Sequence, residues 1–423
     1  MKILLLNQCF HPDVMATAQQ LTDLAVGLTE AGHSVTVIAS DRGYDDPSTR
    51  FPRRETWRGI NIIRIPSLAL GKKSRLRRTF NFASFLLNCS WQLLRLPRFD
   101  VVVALTSPPL VSFLGSLFVR IKGGKFFFWV MDLNPDEAIA AGWLKQHSFP
   151  AKVFRALLKS SFDHADGIIA LDHFMKSRIV AKGVRPELVT VLPPWAHDDQ
   201  VYYDRQGRED WRREHGLAEA FVVMYAGNHS PCHPLQTLLE AARLLAARND
   251  IVFLFVGGGS EQEKVRQFAA TYGLKNTRIL PYQSAERLSA SLSAADLHVV
   301  VMGEPFVGIV HPCKLYNILR IGSPFLYIGP RQSHVSEIAG QLNSSHPAYS
   351  AENGEARTVV ESILEELTAS LERTPRTVPE LAGSFSKQAL LPQMISLLES
   401  QPPAEAALEK PISDGQLLAG RLN

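Results

Sequence analysis

Three short segments carry residue types suited to holding an anion. Gly227-Asn228-His229-Ser230-Pro231 follows an apolar run, and a helix pattern opens near Pro234. Gly227 removes a side chain where backbone must approach a ligand, and the helix start offers unpaired N–H groups; the same residues also suit an ordinary strand-to-helix turn. Val256-Gly257-Gly258-Gly259-Ser260 follows the next apolar run, with Ser260 and Glu263 spaced as a capping box. Three consecutive glycines followed by Ser-Glu-Gln are not a GxGxxG fingerprint, and no ribose-binding acid follows a first strand, so NAD binding is disfavoured. The third segment runs from Gly308 through His311, Pro312, Cys313 and Lys314 to Asn317. Pro312 suits a first helical turn. Lys314 in that turn opposes the helix dipole unless an anion is present, so a phosphate explains it better than the fold does, the alternative being a solvated lysine.

Elsewhere, Asp132-Leu133-Asn134-Pro135-Asp136 ends a strand-like run. A carboxylate there suits a general base or a ligand for an acceptor hydroxyl, and equally an N-cap, which Asp136 could also provide. His11 and Asp13 follow the first apolar run directly, in a loop exposed by its position.

The elements that would hold these residues alternate strand and helix. Ile3–Asn7 reads as a buried strand, residues 16–31 as a helix stopped by Gly32, and Val35–Ala39 as a strand. Further strands are expected at Ile60–Ile65, Val101–Leu105, Phe126–Met131, Gly167–Ala170 and Val189–Leu192. Near-continuous apolar strands separated by helices mean a parallel sheet covered on both faces. After a polar, irregular stretch around Pro193–Gly216 the pattern restarts, with strands at Phe221–Ala226, Ile251–Val256, Thr277–Leu280, Leu297–Met302 and Phe325–Ile328. The reading is an N-terminal domain over 1–196, a linker over 197–216 and a second domain over 217–385. A C-terminal helix over 386–402 and a loose tail over 403–423 complete it. Two such domains form a cleft between the carboxyl ends of their strands.

Composition bounds the partners. The 423-residue chain carries a net charge of only +4, yet fifteen Lys or Arg stand against Glu55 and Asp100 between Arg50 and Lys125. That block implies an anionic partner. Lys72, Lys73, Arg75, Arg77 and Arg78 precede a helical run containing Phe80, Phe85, Leu87, Trp91 and Leu94, which suits a helix lying on an anionic bilayer or, alternatively, packing on the core with a solvated basic edge. Nothing else supports nucleic-acid binding. Four scattered cysteines with no CxxC argue against a disulfide scaffold or a zinc site and suit a reducing compartment. No run of about 20 residues reads as membrane-spanning. A cytoplasmic protein, peripheral at the inner membrane face, is the expectation.

In order and spacing, GNHSPCHPL, FVGGGSE, ILPYQ, SAADLHVV and HPCKLYNILRIGSP resemble the second domain of GT-B glycosyltransferases, more narrowly the family 4 type of colanic acid and O-antigen biosynthesis. The opening NQCFHPDVMATAQQLTDLAVGLTEAGHSVTVIAS is similar to that family's first strand, acceptor-side loop and helix. The resemblance spans roughly residues 1–395. It implies two Rossmann-like domains facing across a cleft, and transfer of a sugar from a nucleotide-sugar, UDP-linked by frequency in the family, with retention of configuration. By position, Gly227, Asn228 and His229 would face the diphosphate or sugar, Gly257 and Gly258 would approach the nucleotide, and Tyr282 would border the base. Lys314, with Pro312 and Leu315 beside it, would meet the diphosphate. His11, Asp13 and Thr17 would face the acceptor, a lipid-linked or surface-glycan precursor, and an Asp-x-x-Pro motif makes Asp132 the catalytic candidate. The family's two glutamates eight apart fall on Ile309 and Asn317; Asn317 would hydrogen-bond a ribose hydroxyl more weakly than a carboxylate. No metal-binding Asp-x-Asp box is evident, so neither a metal nor another cofactor is expected. Two other readings remain: a GT-B-fold sugar-nucleotide epimerase, and a binding protein without turnover.

Overall fold

The structure, a computed structural model, describes residues 1–13, 15–43, 46, 48–68, 75–197, 200–371 and 376–400, without the side chains of residues 75, 76 and 78. Eight strands build the first domain: β1 (Lys2–Leu6), β2 (Ser34–Ser40), β3 (Arg54–Trp57), β4 (Ile60–Ile65), β5 (Val101–Ala104), β6 (Lys125–Trp129), β7 (Gly167–Ala170) and β8 (Val189–Val191). Their order is β3-β4-β2-β1-β5-β6-β7-β8. All pairings are parallel except β3 with β4, a hairpin closed by Arg58 (φ 48°) and Gly59 (φ 79°). Six strands build the second: β9 (Phe221–Asn228), β10 (Ile251–Gly258), β11 (Thr277–Leu280), β12 (Leu297–Val301), β13 (Phe325–Ile328) and β14 (Ala348–Ala351), in the all-parallel order β11-β10-β9-β12-β13-β14. The fold is therefore two doubly wound α/β domains, as the alternating pattern requires. Strands such as Ile3–Leu6 and Val101–Ala104 are buried end to end because helices cover both faces.

Each sheet reverses its winding beside a first strand, between β1 and β5 and between β9 and β12. At such a point successive helices leave to opposite faces and the strand ends open a crevice. Gly227 and Asn228 end β9, and Lys314 lies beyond β12 on the other side of that switch point.

Three expectations need correction. The stretch expected to be irregular before the second domain contains a helix, Arg205–Glu214, capped by Asp204 Oδ1 accepting from Gly207 N. It buries Trp211, and Arg208 and Arg212 both pair with Asp296, so it belongs to the second domain. Ser260 does not cap the following helix: that helix starts at Gln262 behind Glu261, because Glu261 N is held by the His229 carbonyl. Strands β3 and β14 were not expected; Arg54–Trp57 is a half-exposed edge without an apolar run, and β14 is a short edge beside β13.

The helix Lys387–Glu399 returns to the first domain and packs on the helix Ala16–Glu30. Gly27 leaves room for it, since a Cβ there would lie 3.0 Å from Leu391 Cδ2. Lys387 Nζ meets Asp23 Oδ1 at 3.0 Å. The tail expected over 403–423 lies outside the described residues, as do Lys72 and Lys73. The basic run leads into the helix Arg75–Arg95, where Arg77 is exposed. One face of it, Phe85, Cys89 and Leu93, enters the core, while Phe80, Leu87, Trp91 and Leu94 stay 56–73% exposed and Arg95 stacks on Trp91 at 4.2 Å. One face of the helix is thus a core-packing face, and the other leaves apolar side chains exposed beside cations. No helix among the described residues is long and apolar enough to cross a membrane.

Candidate active site

Parallel pairing sets Gly227 opposite Gly257 and Asn228 opposite Gly258. Gly227 and Gly257 both adopt φ 130°, a region that side-chain-bearing residues avoid. A Cβ on Gly257 would overlap the Gly227 carbonyl, so this glycine is required by strand contact before any ligand is considered. A Cβ on Gly227 would meet only Lys314, 3.1 Å from Nζ. The Lys314 stem is partly exposed, but its nitrogen is buried, has no hydrogen-bond partner, and sits 3.7 Å from the centroid of the Tyr225 ring. Burial pulls this ammonium down to about pKa 7. The ring face offsets part of the desolvation cost without neutralising the charge. A cation held at the end of β9, with bare backbone beside it, has the chemistry to receive an anion.

The neighbouring imidazoles add no charge of their own. Burial, then the Lys314 charge, brings His229 down to about 4; its Nδ1 lies 3.4 Å from the Gly258 carbonyl and its Nε2 is unpartnered. His233 sits 2.7 Å from the Val301 carbonyl and is brought down to about 3 by burial, then by Lys314. Tyr282 is half exposed, lies against Gly257 and Gly258, and donates to the Gly258 carbonyl at 3.3 Å. Asn228 is exposed at the strand end. Pro312 is buried, and Leu315 lies wholly in the core, so its side chain serves packing. Asn317 Oδ1 accepts from His197 N at 3.3 Å, which ties it to the connection between the domains. Ile309 is buried, and its carbonyl accepts from Leu133 N of the first domain at 2.9 Å.

On the opposite wall, Asp132 follows β6. Burial, then the nearby Glu137 charge, lifts its carboxyl to about 8. It lines a pocket with Thr106, Leu110, Phe128, Pro135 and Phe154. Asp136 begins the helix Asp136–Ala140 and pairs with Lys182 Nζ at 2.7 Å; Pro135 holds the cap position without a side-chain bond, so neither aspartate is an N-cap. Glu137 was missed by the sequence reading. It accepts from Asn134 Nδ2 at 3.0 Å and from Cys232 Sγ at 3.9 Å, which joins the Asp132 wall to the loop after β9. Its only signal was adjacency to the Asp132 motif.

The first loop gathers the other expected group. His11 stacks on Trp57 at 3.9 Å, and its carbonyl accepts from Arg64 Nη2 at 2.8 Å. Burial, then Arg64, lowers its pKa. Asp13 is half-buried beside it, and Thr17, in the first turn of the helix Ala16–Glu30, has a buried, unpartnered hydroxyl.

Among the described residues, one cluster has the composition of a metal site: Asp172, His311 and His334, all buried, with ligand atoms within 4.8 Å of one another. Its two imidazoles are stacked, centroids 3.9 Å apart and 16° from parallel. A metal ion lies in the plane of each imidazole that binds it, and rings so arranged share no such point, so this geometry does not suit one ion.

Residues 16–195 match the model of a glycosyl transferase 4-like domain, and residues 207–311 match that of glycosyl transferases group 1. The chain is 24% identical over 336 residues to the protein named as colanic acid biosynthesis glycosyl transferase WcaI of Escherichia coli strain K12, covering 76% of this chain and 82% of that one. It is 23% identical over 292 residues to the glycosyltransferase WbjE of Pseudomonas aeruginosa, covering 67% and 71%. Among solved structures, the sucrose-phosphate synthase of Thermosynechococcus elongatus superposes with a TM-score of 0.72 at 16% identity, over 94% of this chain and 98% of that one. Anabaena Alr3699/HepE, solved with UDP and glucose, superposes with a TM-score of 0.70 at 15% identity, over 95% and 100%.

Proposed function

Because the chain belongs to the GT-B glycosyltransferases of the family 4 type, we propose that it takes its sugar from a nucleoside diphosphate sugar, a UDP-sugar, and passes it to a lipid-linked or surface-polysaccharide precursor. The observation that carries the donor half is the Lys314 ammonium, buried and unpartnered at the mouth of the second sheet. An uncompensated buried cation is expensive, and a diphosphate arriving over Gly227 supplies the missing charge. Charge then grows on the departing diphosphate as the sugar–oxygen bond breaks, and a cation already in place stabilises that charge without rearrangement. No divalent ion is required in this scheme. Asp132 faces the acceptor hydroxyl, and its raised pKa suits a group that exchanges a proton near neutrality. Retention of configuration follows from the family 4 resemblance.

The acceptor half rests on the first domain. The exposed Phe80, Leu87, Trp91 and Leu94 share a helix with the end of the basic run. Apolar side chains beside cations suit the interface of an anionic bilayer, which would bring a lipid-linked acceptor to the His11–Asp132 side of the cleft. Sugar transfer is favoured over epimerisation because the curated relatives named above are glycosyltransferases.

Thermal-shift measurements with UDP, GDP and ADP test the donor half, since a ligand of the native state raises its melting temperature. A rise with UDP that Lys314→Gln diminishes is expected; no rise with any of the three refutes it. Flotation with anionic vesicles tests the acceptor half, and Leu87→Ser with Trp91→Ser should release the protein. Unchanged flotation in that variant refutes the helix face as the anchor.

A further inference from the structure

The loop that carries Lys314 is held by the first domain at four points. Leu133 N donates to the Ile309 carbonyl at 2.9 Å, and Arg178 Nε donates to the Val307 carbonyl at 2.6 Å. Gly308, at φ 69°, touches the backbone of Phe174, where a Cβ would find no space. The fourth point is a buried ionic one. Asp172 lies just beyond β7 and divides its carboxylate: Oδ1 caps the helix His173–Val180 by accepting from Met175 N at 2.7 Å, and Oδ2 faces His311 Nδ1 at 2.8 Å. The His311 hydrogen bond and charge, with His334 behind them, hold Asp172 at about 2 against the opposing effect of burial. It is therefore ionised, and Nδ1 is the donor. The other nitrogen of His311 lies 2.6 Å from the Tyr316 hydroxyl, in the helix that Lys314 begins, and the ring stacks on His334.

We infer that Asp172 is a positioning residue for the donor site: through His311 and Tyr316 it sets the helix that presents the Lys314 ammonium beside Gly227, so that contact between the domains and grip on a nucleoside diphosphate are coupled. The inference rests on the donor reading above. It accounts for a feature that a merely structural pair does not need, namely an imidazole clamped on both nitrogens three residues before the functional lysine. Thermodynamic reciprocity follows: a diphosphate that draws on Lys314 tightens the domain contact to the same extent that the contact tightens binding.

The test separates the carboxylate's two roles. Asp172→Ser keeps a side-chain cap for the helix but is too short to reach His311. UDP affinity by calorimetry should fall about tenfold, in the range usual for coupled sites, and amide hydrogen exchange across residues 305–316 should quicken. Over a Lys314→Gln background the same substitution should cost less than about twofold, because effects acting through one group do not add. A UDP affinity within twofold of wild type, or a tenfold loss that persists undiminished over Lys314→Gln, overturns the inference. Were Asp172→Ser not to fold, Tyr316→Phe removes only the hydroxyl at the other end of the link and must then give the same pattern. Were the wild-type protein to bind none of UDP, GDP or ADP, the donor reading would fail. Exchange across 305–316 would then judge the link alone, and unchanged exchange would refute it.

Discussion

Raising the pH from 7 to 9 should weaken nucleoside diphosphate binding through the Lys314 ammonium. Its pKa near 7 lies below the ordinary lysine value because burial disfavours the charged form. A bound diphosphate reverses that balance and lifts the pKa again, so binding takes up a proton and weakens as pH rises. With half the ammonium charged at pH 7, about a tenth at pH 8 and about a hundredth at pH 9, the dissociation constant should grow about fiftyfold over the range, roughly 2.3 kcal/mol. Uptake should be about half a proton per nucleotide at pH 7 and nearly one at pH 8. Three other groups add little: the terminal phosphate, with a second pKa of about 6, is about nine-tenths ionised at pH 7 and fully so by pH 8, and His229 and His233, at about 4 and about 3, are neutral throughout. Asp132, at about 8, does titrate in the window and would also weaken binding as it ionises, so Asp132→Asn is the control background. Calorimetry in two buffers of different ionisation enthalpy reads the proton count directly. A Lys314→Gln variant with the wild-type pH slope, or no proton uptake at pH 8, would refute the argument.

Two further outcomes follow from the same walls. Gly257→Ala meets both a forbidden φ and the Gly227 carbonyl, whereas Gly354→Ala meets only the φ, at 100°, in open space. Urea unfolding should show the first as clearly more destabilising than the roughly 1–3 kcal/mol of backbone strain alone, and equal losses would show that the strand ends can part freely. Asp132→Asn should lower turnover by about 10²-fold or more with UDP affinity at pH 7 within about twofold. Because the native carboxyl stays protonated up to about pH 8 while the unfolded one ionises near its ordinary value, wild-type stability falls as pH rises through that interval. The melting-temperature advantage of the asparagine variant should therefore widen from pH 5 to pH 8 and then level off; a constant difference would place Asp132 in water.

The parallel sheets were legible because most of their strands are buried on both faces and so announce themselves as largely apolar runs; Ile60–Ile65, Gly167–Ala170 and Phe325–Ile328 agree to the residue, as does Thr277–Leu280, a half-exposed edge strand. The edges β3 and β14 carry no such run. The helix Arg205–Glu214 looked like a charged loop because two of its arginines face inward to a single carboxylate, Asp296, a pairing that no local pattern encodes. Lys314 could be singled out because a lysine in a first helical turn conflicts with the dipole. Its burial, its place over Tyr225 and its missing partner depend on β9 and β12 being neighbours, which the sequence order hides. Glu137 and Asp172 escaped for the same reason: each acts on a residue about 95 or 139 positions away.

By the family 4 resemblance two glutamates would stand at positions 309 and 317, and both positions lie at contacts between the domains. Ile309 gives its carbonyl to Leu133, and Asn317 gives its amide oxygen to His197, so both hold the second domain to the first domain and its connection. Without those carboxylates the second domain shows its donor pocket a cation and neutral imidazoles, an environment that attracts a diphosphate more strongly than it orients sugar hydroxyls. On the other wall, the acidic groups Asp132 and Glu137 stand beside Cys232. Orientation of the transferred sugar must then depend on the domains being docked. Any substitution that loosens the docking, such as Arg178→Ala or Asp172→Ser, should relax discrimination between donor sugars before it abolishes nucleotide binding, whereas Lys314→Gln should weaken all donors of one nucleotide alike.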